Sequence, residues 1–216
     1  MRYLIASVLN QGQCSSWFTV SLLETALYFI KSETEIRPIL FDGKGADPML
    51  INQAITIASK QEMDGLFLIG PDCGWKPETL EKMLDIKKEV VAAPVWNGGT
   101  YDLKLGELSR LQRDEENGAI KVLESSLDFF FLGKKAIADL CRSHPLIGYE
   151  GNEVNLILQS GDIYKSYHTN EAILAYRLRE LGYEIWLHPY VKTIRTTKQA
   201  LWSSFGEALD EELAKQ

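Results

Sequence analysis

Apolar positions along the first hundred residues fall in two alternating rhythms, short continuous runs and stretches at helical spacing. Residues 3–9 form an apolar run and read as a first strand, followed by a polar loop from Asn10 to Ser16. Trp17, Val20, Leu23, Leu27 and Ile30 then recur at near-helical spacing and predict a helix. Residues 36–41 read as a second strand, which ends at the turn-forming Asp42-Gly43-Lys44-Gly45. Asp47 is placed to cap a helix with Pro48 at its first position and Leu50, Ile51, Ala54, Ile55 and Ala58 on its apolar face. The run Leu66-Phe67-Leu68-Ile69 predicts a third strand over 65–69, buried on both faces and ending at Asp72.

Pro77-Glu78 opens a further helix with Leu80, Met83 and Leu84 facing inward, and residues 90–95 read as a fourth strand. The Gly- and charge-rich segment 96–117 reads as a long excursion with a hairpin or short helix, of a length that is often functional. Residues 119–123 and 126–132 predict two more strands, and Gly133 opens a short helix through Ile137 and Leu140. The stretch 144–165 carries no clear rhythm. Thr169 caps a helix over 170–181 that stops at Gly182, residues 183–187 form the next strand, and 199–214 predict a final amphipathic helix. Strand and helix alternate, so the expected fold is α/β with a mainly parallel sheet, and 216 residues suit one domain.

The formal charge of -7 and the absence of a Lys/Arg-rich window argue against a nucleic-acid footprint, so duplex binding is not favoured. Cys14, Cys73 and Cys141 are odd in number and scattered, which suits a reducing compartment and points to the cytoplasm. The apolar start is too short for a signal sequence, and no stretch is long enough to span or anchor in a membrane. The first loop lacks the Gly-x-Gly-x-x-Gly fingerprint of dinucleotide folds, and neither a Walker loop nor a Gly-x-Ser-x-Gly elbow occurs. Asp72, at the end of a buried strand, stands where an open α/β sheet places its ligand.

The order of these elements resembles nucleotide-sugar glycosyltransferases of the GT-A fold, closest to small bacterial and phage enzymes whose third strand ends in Asp-x-Asp-Ile-Gly-Trp. The corresponding residues here are Gly70-Pro71-Asp72-Cys73-Gly74-Trp75, a degenerate motif in which glycine replaces the first acid. A second match is Asn170-Glu171, Arg177, Leu181-Gly182-Tyr183 and Ile185-Trp186. The resemblance implies a single GT-A-like domain with a nucleotide-binding half (1–95), an acceptor-side half (96–198) and a C-terminal helix (199–216).

It also implies a transferase that moves a sugar from a nucleotide-diphosphate donor to a hydroxyl acceptor, a glycan or a modified nucleobase, with inversion. Asp72 would be a ligand of Mg or Mn at the diphosphate. Glu171, in a first helical turn where negative charge is stabilised, would be the general base, with His168 as a second candidate. Asp128 lies in an apolar run where an acid is costly unless paired or functional, and is expected to contact sugar or acceptor. Ser7, Leu9, Asn10, Asp42, Asn52 and Trp75 would line the nucleotide-sugar pocket. The family's late histidine ligand is missing from 192–196, where Arg195 or Lys192 could meet the diphosphate directly. His188 precedes that segment but is followed by Pro189. Two rivals remain open: a nucleotidyltransferase, which lacks its Gly-rich signature here, and a catalytically degenerate protein that binds sugar nucleotide or a partner without turnover.

Overall fold

The computed structural model describes residues 1–43, 47–96, 100–101, 103–105, 111–159, 169–196, 200–203, 206 and 210. The first half runs β1 (Arg2–Asn10), α1 (Ser16–Ile30), β2 (Glu35–Gly43), α2 (Pro48–Lys60), β3 (Gly65–Ile69), β4 (Cys73–Trp75), α3 (Pro77–Asp85) and β5 (Val90–Ala92). There follow β6 (Leu103–Lys104), β7 (Ile120–Val122), β8 (Glu124–Ser125), β9 (Phe129–Gly133), α4 (Lys134–Ser143), β10 (Leu146–Tyr149) and β11 (Asn152–Asn155). The chain continues with α5 (Asn170–Glu180), β12 (Ile185–Leu187), β13 (Thr193–Thr196) and β14 (Ala200–Ser203).

Seven strands form one sheet in the order β2-β1-β3-β9-β5-β12-β7. β1, β2 and β3 run parallel, β9 is antiparallel to β3 and β5, β12 is parallel to β5, and β7 runs against β12. Five strands therefore point one way and two the other. This mixed, mainly parallel sheet with helices on both faces is the α/β architecture that the alternation of strand and helix signals implied.

Side chains alternate across the sheet, so each central strand feeds two cores. Leu4, Ala6, Leu66 and Leu68 pack with Ile51, Ala54 and Ile55 of α2 and with Ile137 and Leu140 of α4. Tyr3, Ile5, Phe67 and Ile69 face the other way, toward Phe18 of α1, Trp75 of β4 and Met83 of α3. The expected caps form: Asp47 accepts from the Met49 amide at 2.9 Å, Thr169 from the Ala172 amide at 3.2 Å, and Gly182 takes φ +81° past α5.

One expectation is revised and two open points are settled. The apolar spacing that marks α1 lies on its outer face: Val20, Leu23, Leu27 and Ile30 are 47–69 % exposed, while Phe18, Ser21, Thr25 and Phe29 are buried. The reason is Trp75, whose backbone N–H donates to Ser21 Oγ and whose indole N–H donates to Thr25 Oγ1, each at 2.8 Å. The unreadable stretch after His144 contains a hairpin, β10 paired with β11, turned by Glu150 at φ 47° and Gly151 at φ 80°. Of the helix expected over 199–214, residues Ala200–Ser203 instead pair antiparallel with β13; Gly206 and Asp210 are helical and the remainder lies outside the described residues. Among the described residues no helix is long and apolar enough to cross a membrane.

Candidate functional site

A cavity of about 660 Å³ opens beyond the carboxyl ends of β1 and β3. Its floor is the apolar face of the sheet, Ala6, Val8 and Leu68, with Ile51 from α2. Its rim gathers Asn10, Gln13, Cys14 and Ser15 from the first loop, Gly70-Pro71-Asp72 after β3, Ser126-Leu127-Asp128 before β9, Glu171 at the start of α5, and Arg195 on β13.

Sheet pairing brings these distant segments together. Phe129 pairs with Ile69, so the residue before one strand lies beside the residue after the other, and the Gly70 N–H donates to the Asp128 carbonyl at 2.9 Å. Arg195 pairs with Cys73 between β13 and β4, next to Asp72. β13 is itself pinned where the Thr193 hydroxyl donates to the Pro94 carbonyl at 2.8 Å. The guanidinium then bridges both acids: its Nε donates to Asp72 Oδ2 and its Nη2 to Asp128 Oδ2, each at 2.8 Å. Arg195 is 20 % exposed, Asp72 38 % and Asp128 29 %, so the triad is half-buried. Burial works against the guanidinium's charge, but Asp128 and Asp72 outweigh it and hold the proton firmly. The neighbouring Cys73 thiol is pushed well up, by burial first and then by Asp128 and Asp72.

Gly70 explains how Asp128 reaches this place. A Cβ at residue 70 would lie 2.7 Å from Asp128 Oδ1 and 3.0 Å from its Cγ. The absence of a side chain at Gly70 therefore leaves the space that the Asp128 carboxylate fills.

Of the residues singled out from sequence, Asn10, Asp72, Asp128, Glu171 and Arg195 line the cavity. Five others do not, each for a local reason, and the first is Leu9, which is buried in the core. Ser7 is 2 % exposed and points to the opposite face of β1 from Ala6 and Val8; its hydroxyl has no hydrogen-bond partner among the described residues. Asp42 is exposed at the end of β2, in register with Leu9. Asn52 is fully buried in α2, where its amide donates to the Leu158 carbonyl and accepts from the Leu158 N–H, each at 2.8 Å. Trp75 is core, held edge-on between Phe18 at 5.5 Å and Phe129 at 5.7 Å.

His168 lies outside the described residues, and Lys192 lines a separate cavity with Lys76, Lys82 and Tyr190. His188 is absent from both linings; burial first, then Lys82, lowers its pKa. The sequence reading passed over Gln13, Cys14, Ser15 and Ser126, although the polar loop and the Ser125-Ser126 pair between apolar runs were visible signals.

Among the described residues no three His, Cys, Asp or Glu side chains group as metal ligands, and one oxygen of each cavity aspartate is engaged by the guanidinium.

Neither a family model nor a curated protein matches the chain. Among solved structures, it is similar to A197 from STIV, with a TM-score of 0.52 at 10 % identity over 91 % of this chain and 86 % of that one. Mannose-1-phosphate geranyltransferase from Thermus thermophilus aligns with a TM-score of 0.47 at 11 % identity, covering 100 % and 80 % of the two chains. S. aureus TarS 1-349 aligns at 0.47 and 8 % identity, covering 99 % and 63 %. At such identities the likeness to A197 is one of fold.

Proposed function

We propose that this protein is a transferase that takes its sugar from a nucleotide-diphosphate donor, bound in the cavity beyond β1 and β3, and delivers it to a hydroxyl acceptor. One observation carries the reading: three acids and one arginine from four separate chain segments converge on a single cavity at the carboxyl end of the sheet. Core residues need no such convergence, and a cavity with an apolar floor and a few convergent polar groups is the usual form of a small-molecule site.

Glu171 is the proposed base. It removes the acceptor hydroxyl proton as that oxygen attacks the anomeric carbon, and the bond from that carbon to the diphosphate breaks with its electron pair leaving on the nucleoside diphosphate. A single displacement inverts the anomeric configuration. Asp128, at the cavity wall, is the proposed sugar or acceptor contact, and Asn10 a contact to the nucleotide.

The test is a panel of nucleotide sugars, with released nucleoside diphosphate as the readout. Release by the native protein, cut at least ~100-fold by Glu171→Gln, supports the role of the base. Binding without release, even with a broad set of acceptors, favours the non-catalytic reading.

A further inference from the structure

We infer that Arg195 is the resident cation of this site: it grips the donor's diphosphate in the place where related two-acid sites use a divalent metal, so that binding is metal-independent. The inference rests on the nucleotide-sugar reading above and deepens it.

Three features support it. First, the position is taken: Asp72 and Asp128 both direct an oxygen to one guanidinium at 2.8 Å, and a cation seeking those oxygens must displace a fixed positive charge. Second, the arrangement is built into the chain's packing. Gly70 has no side chain, and the carboxylate of Asp128 fills the space a Cβ would need, at 2.7 Å. An acid at residue 70, as in the two-acid motif, would drive Asp128 away from Arg195. Third, the guanidinium keeps capacity for a ligand. A guanidinium has about five N–H donors. Among the described residues the carboxylates take Nε–H and one Nη2 hydrogen, and the other Nη hydrogens suit the paired oxygens of a phosphate.

Electrostatics sets the character of the binding. The two carboxylates outnumber the one guanidinium, so the triad does not attract a diphosphate by net charge. Its contribution is orientation: the half-buried guanidinium is held from one edge and presents the other without further loss of side-chain freedom. Lys192 does not share this role, since it lines the other cavity.

The experiment is calorimetric titration of the full chain with UDP, GDP, dTDP, CDP and ADP, in EDTA and then in Mn²⁺, together with Mn²⁺ binding to the free protein followed by its electron paramagnetic resonance signal. The expected result is that one nucleoside diphosphate binds in EDTA with an affinity that Mn²⁺ changes less than about threefold, and that Arg195→Met weakens it at least ~10-fold. The native protein should leave Mn²⁺ free, whereas Arg195→Met, with the two carboxylates released, should bind it. Arg195→Lys, which keeps the charge but loses the fork, should fall between the two.

Nucleoside diphosphate binding that appears only with Mn²⁺ would overturn the inference while leaving the nucleotide-sugar reading in place. Mn²⁺ bound by the native protein as tightly as by Arg195→Met would also overturn it. No binding of any diphosphate under either condition would remove the reading on which it rests. The comparison of the native protein in EDTA and in Mn²⁺ needs no variant, so it holds even if Arg195→Met fails to fold.

Discussion

Gly70→Ala isolates the link between the missing side chain at residue 70 and the Asp72–Arg195–Asp128 triad. The added Cβ would sit 2.7 Å from Asp128 Oδ1, 3.0 Å from Cγ and 3.1 Å from Cβ. Reaching an ordinary 3.4 Å contact requires the carboxylate to retreat by roughly 0.7 Å, and the nearness of its inner carbons means rotation of the carboxylate alone does not suffice. The bond at risk is Arg195 Nη2 to Asp128 Oδ2, 2.8 Å long and between side chains 20 % and 29 % exposed. Hydrogen bonds to charged groups contribute about 1.5–3 kcal/mol, and partial exposure reduces this to about 1–2 kcal/mol. Residue 70 has no positive φ, so alanine fits its backbone and recovers about 0.4–1 kcal/mol through the unfolded chain. The net expectation is a loss of about 1 kcal/mol, read as a lower urea midpoint at unchanged slope and a Tm lower by about 2–4 °C. In an Asp128→Ala background most of the clash is gone, and the cost of Gly70→Ala should shrink toward zero. A Gly70→Ala protein as stable as the native one, with no coupling to residue 128, would show that Asp128 does not depend on the space at residue 70.

Other expectations follow from particular contacts. Thr25→Val keeps the shape of the buried side chain but removes the acceptor of the Trp75 indole N–H, and should cost about 1–3 kcal/mol in urea unfolding. Leu27→Gln, on the 67 % exposed side of α1, should change stability by less than about 0.5 kcal/mol, contrary to what its helical spacing alone implies. Burial is the largest cause lowering the pKa values of His144 and His188, so both stay neutral in the fold at pH values where the unfolded chain takes up protons. Their contribution to stability should be complete above about pH 6.5 and be lost as pH falls through their folded values, and Gln at both positions should flatten urea midpoints across that window.

Much of the fold was legible because its signals are local. The apolar run before Asp72, the Asp47-Pro48 cap and the Thr169 to Gly182 helix each depend on neighbours within a few residues. The orientation of α1 was not, since both faces carry apolar residues and the choice is decided by Trp75, which needs Ser21 and Thr25 as partners from another segment. Nor was the strand at Ala200–Ser203, whose pairing with Thr193–Thr196 overrides its reading as a helix. In the site, Asp72, Asp128, Glu171 and Arg195 were each identifiable singly, but their meeting was not. The contact between Gly70 and Asp128 is made by β3 pairing with β9, far along the chain, and sequence spacing carries no trace of it. Asn52 and Trp75 were expected in the pocket from the resemblance, and the structure commits both to internal hydrogen bonds.

The proposed function places the nucleotide sugar in the cavity beyond β1 and β3. Hydrogen exchange of backbone amides, measured with and without each of a panel of nucleotide sugars, tests it most directly. One of them should slow exchange at residues 10–15, 68–73 and 126–129 while leaving the cavity lined by Lys76, Lys82 and Lys192 unchanged. Protection confined to that second cavity, or no protection from any nucleotide sugar, would contradict it.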